Sequence, residues 1–325
     1  HFCGGVTEKD CMEVIEKMYS KNVHSVLDYS AEGKEDEHQF DLAMDKTLNN
    51  IKFGKEKDSI PFAVFKPTGF GKFEIYRKIT EGEDLDKHEE IEWKRIKERY
   101  DIVSKAAYDR DVPLLIDAEE SWMQTAADNL IEKMMKKYNK EKIIVFGTLQ
   151  LYRHDRLNYL KKLHKRAKKE GFKIGMKLVR GAYMEKERER AEEKGYEDPI
   201  CVNKSATDSM FNEVMTYMFK NIDDMSIFAG THNEESSYLL MDLIAKSKLD
   251  KNDYRIWFGQ LYGMSDHISY NLSKNGYNVA KYLPYGPVRD VMPYLIRRAE
   301  ENTSVAGQTT RELSLLKTER ERRKI

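Results

Sequence analysis

At 325 residues and 40% hydrophobic composition, the chain is long enough to bury a large core, as α/β barrels of a single domain do. Lys+Arg and Asp+Glu are equal at 56 each, which excludes the general basic field of a nucleic-acid binder and the acidic excess that gathers basic partners, leaving a small molecule as the expected partner. The three cysteines, Cys3, Cys11 and Cys201, are too few for a disulfide framework or a zinc ribbon and fit a reducing compartment.

In chain order, short β-branched or aromatic runs alternate with longer stretches whose apolar residues recur every three or four positions. The runs are Ser25–Asp28, Phe62–Phe65, Leu114–Ile116, Ile143–Phe146, Ile174–Val179, Ser226–Ala229, Arg255–Phe258 and Val279–Leu283. Eight β/α units in series predict a barrel of parallel strands. A doubly wound open sheet would carry a Gly-rich phosphate turn after its first strand, and Tyr29-Ser-Ala-Glu-Gly33 is not one. The segments Gly69–Asp111 and Gly181–Asp224 are long for single crossovers and should each hold an extra helix. With no repeat, linker or low-complexity block, residues 1–325 are expected to form one domain. The Lys-rich run Lys161–Lys169 reads as the solvated face of an outer helix, since it lacks the interleaved aromatics of a nucleic-acid patch. No apolar run approaches the roughly 18 residues of a membrane span, and no secretory leader precedes the first helix, so a soluble or surface-attached chain is expected. Because the chain opens at His1 rather than Met, we expect that its natural start has been removed.

Barrels of this kind place their chemistry at the carboxyl ends of the strands. Those ends carry Lys66, Asp117, Gln150, Lys177 with Arg180-Gly181, Thr231-His232, Gln260 and Tyr282. Each has a plain structural reading as well. Asp117 and Glu119 could cap the following helix, Lys66 could reach to solvent, His232 could be a hydrogen-bonded core histidine, and Gly181 and Gly263 could serve turns. What favours chemistry is that all of them fall at one mouth. Pro287 then starts a helix with Met292, Leu295 and Ala299 as its apolar stripe and Arg297 and Arg298 beside it. Arg297 lies about 15 Å along that helix. If the helix runs alongside the barrel the arginines point away, and if it crosses the mouth they can clamp a carboxylate; the sequence leaves both open.

Five segments carry a resemblance. They are Lys177-Leu-Val-Arg-Gly-Ala-Tyr-Met184, Leu115-Ile-Asp-Ala-Glu-Glu120, Gly230-Thr-His-Asn233, Phe258-Gly-Gln-Leu-Tyr-Gly-Met264, and Tyr282-Leu-Pro-Tyr-Gly-Pro287 followed by Tyr294-Leu-Ile-Arg-Arg-Ala-Glu-Glu-Asn302. Motif by motif and in order, over nearly the whole chain, they resemble the proline dehydrogenases, nearer to the stand-alone and mitochondrial types than to the large bifunctional bacterial ones. The resemblance implies a distorted (β/α)8 barrel that holds FAD without a Rossmann unit, with its last helix over the mouth. It implies oxidation of L-proline to Δ1-pyrroline-5-carboxylate by hydride transfer to FAD N5, with a quinone as electron acceptor. Arg297 and Arg298 would bind the substrate carboxylate, Tyr282 would pack on the proline ring, Tyr183 and Leu261 would line the pocket, and Lys66 and Asp117 would form an ion pair within it. Lys177 would sit near N5, and Gln150, Val179, Gly181, Ala182, Thr231, His232, Gln260, Arg298 and Glu301 would surround the cofactor. Met184 departs from the Trp of some members, so one aromatic contact to FAD would be missing.

Three alternatives stand beside this reading. Hydroxyproline dehydrogenase is disfavoured by Tyr282, where a smaller residue would be expected. A metal-dependent hydrolase could use Asp117, His232 and His267, but no His-x-His pair ends a strand. A non-catalytic binding barrel would not need the complete polar ring. A quinone acceptor implies peripheral membrane contact, for which the basic tail Arg311–Ile325 is a candidate beside its plainer reading as a solvated terminal helix. The expected location is the cytoplasm or inner-membrane surface of a bacterium, or the mitochondrion of a eukaryote.

Overall fold

The computed structural model describes residues 2–29, 35–304 and 308–323, with the side chains of residues 297–304, 308–313 and 316 outside the description. Helix α1 (Met12–Tyr19) precedes β1 (Val23–Tyr29), α2 (Glu37–Glu56), β2 (Phe62–Phe65), α3 (Phe73–Glu81), α4 (Lys87–Arg110), β3 (Leu114–Ile116) and α5 (Ser121–Tyr138). Next come β4 (Val145–Gln150), α6 (Arg156–Glu170), β5 (Ile174–Val179), α7 (Met184–Lys194), α8 (Lys204–Lys220), β6 (Met225–Gly230) and α9 (Glu234–Lys246). The series ends with β7 (Ile256–Leu261), α10 (Asp266–Lys274), β8 (Val279–Tyr285), α11 (Val288–Ser304) and α12 (Gln308–Arg323).

The eight strands close into an all-parallel barrel in sequence order. Closure is made by β1 against β8, in register from Val23↔Val279 to Tyr29↔Tyr285. Both long crossovers hold two helices, α3 with α4 and α7 with α8, as their lengths required. Two strands are shifted toward the carboxyl end, both starting and ending later than their apolar runs suggest. On β4 the strand starts at Val145 because the Asn139 side chain accepts the amides of Ile144 and Val145 at 3.0 and 2.8 Å, and it runs on through Gly147 to Gln150. On β7, Arg255 turns back to Asp253, and Gly259 continues the strand because a Cβ there would meet the Phe228 ring at 2.2 Å.

Polar side chains cap the starts of several helices. Asp86 forms a capping box with Glu89 on α4, and Asn203 and Asn233 accept the Ala206 and Ser236 amides at the starts of α8 and α9. The apolar side chains sort into two layers. One lies between strands and helices, where α5 buries Met123, Ala127, Leu130, Ile131 and Met134 at helical spacing. The other fills the barrel, with Val26, Phe62, Val64, Leu115, Phe146, Phe228 and Ala280 packed together and Trp257 against them. Phe62 meets Phe146, Phe228 and Trp257 edge to face at 5.8, 5.2 and 5.1 Å. Each such pair contributes about 0.5–1.5 kcal/mol beyond its buried area. The barrel floor is therefore a dry aromatic plug.

Candidate active site

Strand alternation carries the plug's phase into the mouth. Two residues beyond Val26 stands Asp28, beyond Val64 stands Lys66, beyond Leu115 stands Asp117, and beyond Ala280 stands Tyr282. Lys177 follows Gly175, whose missing side chain leaves room for Phe146. One pleat, about 6–7 Å along each strand, thus separates an apolar layer from a charged one.

The charged layer is paired. Lys66 Nζ lies 3.2 Å from Asp28. Lys177 Nζ donates to Asp117 at 2.5 Å and to the Tyr282 hydroxyl at 2.9 Å, and it stands 4.6 Å from the centre of the Tyr282 ring. The expected Lys66–Asp117 ion pair is thus replaced by two others. Lys66 finds Asp28 on the adjacent strand, whereas the Lys177 chain reaches across from β5 to Asp117. Burial, and after it the carboxylates of Asp117 and Asp28, push the Tyr282 phenol well above its ordinary range. It stays protonated at any working pH.

Behind this layer, a second set of hydrogen bonds ties the rim loops together. Glu119 accepts the backbone N–H of Thr68 at 2.9 Å and its hydroxyl at 2.7 Å, anchoring the 3-10 turn Pro67–Gly69 that follows Lys66. Burial raises the Glu119 carboxyl to about 7 against those two bonds. Gln150 donates to the Glu119 carbonyl at 2.8 Å. Neither Asp117 nor Glu119 caps α5. The first-turn amide and hydroxyl of Ser121 go instead to Glu187, a fully buried carboxylate of α7. Arg180 joins Asp208, Thr231 and Ser236, which fixes the loops after β5 and β6.

Val179 faces inward beside Gly230, and Gly181 and Ala182 are exposed just beyond it, with Tyr183 half-buried. Gly181 has φ +142°, and a Cβ there would strike the Tyr152 ring at 2.5 Å, so only glycine fits. Thr231 and His232 follow β6; His232 Nδ1 lies 2.9 Å from the Ser265 hydroxyl. Gln260 is turned out of the barrel and supports the rim indirectly, donating to the Thr231 carbonyl at 3.1 Å and accepting from Ser269 at 2.9 Å. Leu261 faces in and packs on the inner cluster beside Tyr282. Met184 is 45% exposed. His267 pairs with Glu234, away from Asp117, and among the described residues no three His, Cys, Asp or Glu side chains are grouped to hold a metal.

Helix α11 leaves β8 through Pro287, whose carbonyl accepts the amides of Asp290 and Val291. It buries Val291 and Tyr294, and Tyr294 stands near enough to Tyr282 to act on its phenol. Following directly on the carboxyl end of β8, the helix starts at the rim of the mouth. The expected positions Arg297, Arg298 and Glu301 fall on α11, and their side chains lie outside the described residues. Asp28, which sequence reading left without a role, was signalled by its inward phase two residues past Val26.

A model of the proline dehydrogenase family matches residues 11–311. The carbapenem antibiotics biosynthesis protein CarD of Pectobacterium carotovorum subsp. carotovorum is 37% identical over 326 residues, spanning 100% of this chain and 84% of that protein. Mitochondrial proline dehydrogenase 1 of Homo sapiens is 40% identical over 231 residues, which are 70% of this chain and 38% of that protein. Among solved structures, PutA from Bdellovibrio bacteriovorus inactivated by N-propargylglycine superposes with a TM-score of 0.82 at 21% identity, over 94% of this chain and 32% of that one, a likeness of fold.

Proposed function

Because the chain belongs to the proline dehydrogenase family, we propose that it oxidises L-proline to Δ1-pyrroline-5-carboxylate, with FAD as the hydride acceptor and a quinone taking the electrons onward. The observation that carries this reading is the paired inner ring, Asp28 with Lys66 and Asp117 with Lys177 and Tyr282, seated on a closed apolar floor.

The donor set fits a flat, polar-edged cofactor. Exposed Gly181 and Ala182 let a ring system approach the backbone closely, Val179 offers it an apolar edge, and Lys177 supplies a cation at the centre of the mouth. Gln150, Thr231 and His232 would flank it, Gln260 would support it from behind, and Arg298 and Glu301 would close it from α11. Bound FAD would supply, at N5, the acceptor for the hydride leaving the carbon beside the proline nitrogen.

The chain's own task is positioning in a dry site. Arg297 and Arg298 would take the carboxylate in forked hydrogen bonds from a last helix that would lie over the mouth. The Tyr282 ring, held by the Lys177 hydrogen bond, would pack on the proline ring, with Leu261 and Tyr183 as walls. Asp28, Lys66 and Asp117 would present groups that are already oriented by their pairing, so little has to reorganise as positive charge develops on the ring nitrogen when the hydride leaves.

No described helix is long and apolar enough to cross a membrane. Val288, Met292 and Ile296, spaced four apart on α11, are exposed, which supports a peripheral contact with the bilayer that carries the quinone, in a bacterium or a mitochondrion. The test is a visible spectrum of the purified protein before and after anaerobic L-proline. Flavin bands that bleach on addition are expected, and bands that persist would overturn the substrate assignment.

A further inference from the structure

On β8, Ala280 and Tyr282 point into the barrel, so Lys281 points outward among Val279, Leu283 and Tyr285, all fully buried. Lysines in such layers normally run along apolar surface until the ammonium reaches water. Lys281 does not, being 1% exposed. A buried ammonium needs an acceptor for each of its three protons. Here they are the Met264 carbonyl at 2.7 Å, the Asp266 carboxylate at 2.6 Å and the Leu261 carbonyl at 3.4 Å. All three belong to or border the turn, residues 262–265, that joins β7 to α10.

That turn has an unusual shape. Gly263 has φ +79° and Ser265 φ +51°, the second a conformation that non-glycine residues keep only where their surroundings hold them. The Tyr262 amide donates to the Tyr282 carbonyl at 2.9 Å. Leu261, immediately before the turn, faces the mouth in register with Tyr282. An apolar side chain at 281 would satisfy the outer layer's packing, so the ammonium is accounted for by the acceptors it gathers.

We propose that Lys281 is a positioning residue that, from behind the strand, sets the turn after β7 and so determines how far Leu261 stands into the mouth, limiting the ring size of the cyclic amino acid accepted beside Tyr282. This rests on the proline-oxidising reading above.

The test compares L-proline with its six-membered homologue L-pipecolate in the wild-type holoenzyme, K281M, L261A and the double variant. K281M should raise the pipecolate-to-proline ratio of kcat/KM about tenfold, chiefly through KM, because a wall displaced by about 1 Å changes which ring fits. L261A should raise it as well, and the double variant should not exceed L261A, since both changes act through one side chain. Hydrogen exchange at the Tyr262 and Met264 amides should quicken in K281M. Should K281M fail to fold, D266N alters a partner whose side chain is 65% exposed and should move the ratio the same way by a smaller factor. A ratio unchanged in the folded variant, or additive effects in the double variant, overturns the proposal while leaving proline oxidation intact. A wild type whose flavin bleaches with neither amino acid overturns the functional reading, and this proposal with it.

Discussion

The two ends of the barrel are built from the same strands and obey opposite rules. At the floor, Phe62, Phe146, Phe228 and Trp257 meet edge to face without a charge among them. One pleat further on, Lys66, Asp117, Lys177 and Tyr282 crowd together, with Lys177 and Tyr282 almost as buried as the aromatics. Apolar packing gains free energy from burial alone, whereas a buried ion pair roughly breaks even against an apolar substitute of the same volume. The floor is thus where the strands secure stability, and the rim adds little to it, as the proposed catalytic role would require.

The contrast can be broken from either side. Phe62→Ala should cost about 3–5 kcal/mol of stability with KM for proline nearly unchanged, measured by denaturant unfolding beside steady-state kinetics. Lys177→Met with Asp117→Leu should leave stability equal or higher, by up to about 4 kcal/mol, while turnover collapses; a double variant markedly less stable than wild type would mean that the rim stabilises the fold after all.

Glu119 sharpens the same comparison through pH. Its folded carboxyl titrates at about 7, against the ordinary 4.5, so the folded state holds a proton that the unfolded chain has released. The associated stability, about 3 kcal/mol, is fully present below pH 4.5 and is lost as pH rises through 7. The thermal midpoint of wild type relative to Glu119→Gln should fall between pH 5 and pH 8, and parallel profiles for the two proteins would rule this out. Arg297→Met should weaken proline binding by about 1.5–3 kcal/mol for the charge-assisted bond lost, read as a raised KM; a near-normal KM would remove Arg297 from the substrate site. Smallest is Tyr282→Ser, expected to improve kcat/KM for 4-hydroxyproline relative to proline by on the order of tenfold. Equal values for the two substrates in the wild type would deny the tyrosine its steric role.

How much of this was legible depended on whether a feature is local. The strands Phe62–Phe65, Leu114–Ile116 and Ile174–Val179 stand where their apolar runs lie, because a buried parallel strand writes itself as one. The rim residues were legible as strand ends. Their pairings were not, since which lysine reaches Asp117 depends on side-chain direction across the mouth. Asp117 and Glu119 were possible caps of α5, but the carboxylate that takes the Ser121 amide comes from Glu187, 66 residues beyond that serine. Asp28 was hidden for a different reason: it closes the apolar run Ser25–Asp28 as its one acid, and its role shows only when the inward phase of Val26 is followed one step further.

Closure of β1 on β8 also has a cost in time. His24 Nδ1 lies 3.1 Å from the carbonyl of Val279, 255 residues later in the chain. At ribosomal rates of roughly 5–20 residues per second, about 13–50 s pass between the synthesis of the two. For that interval the edge of Val23–Tyr29 that β8 will cover is an open template for any other extended chain. A nascent polypeptide of this design has a built-in window of vulnerability, and its yield in a cell should respond more to chaperone supply and translation speed than its finished stability would suggest.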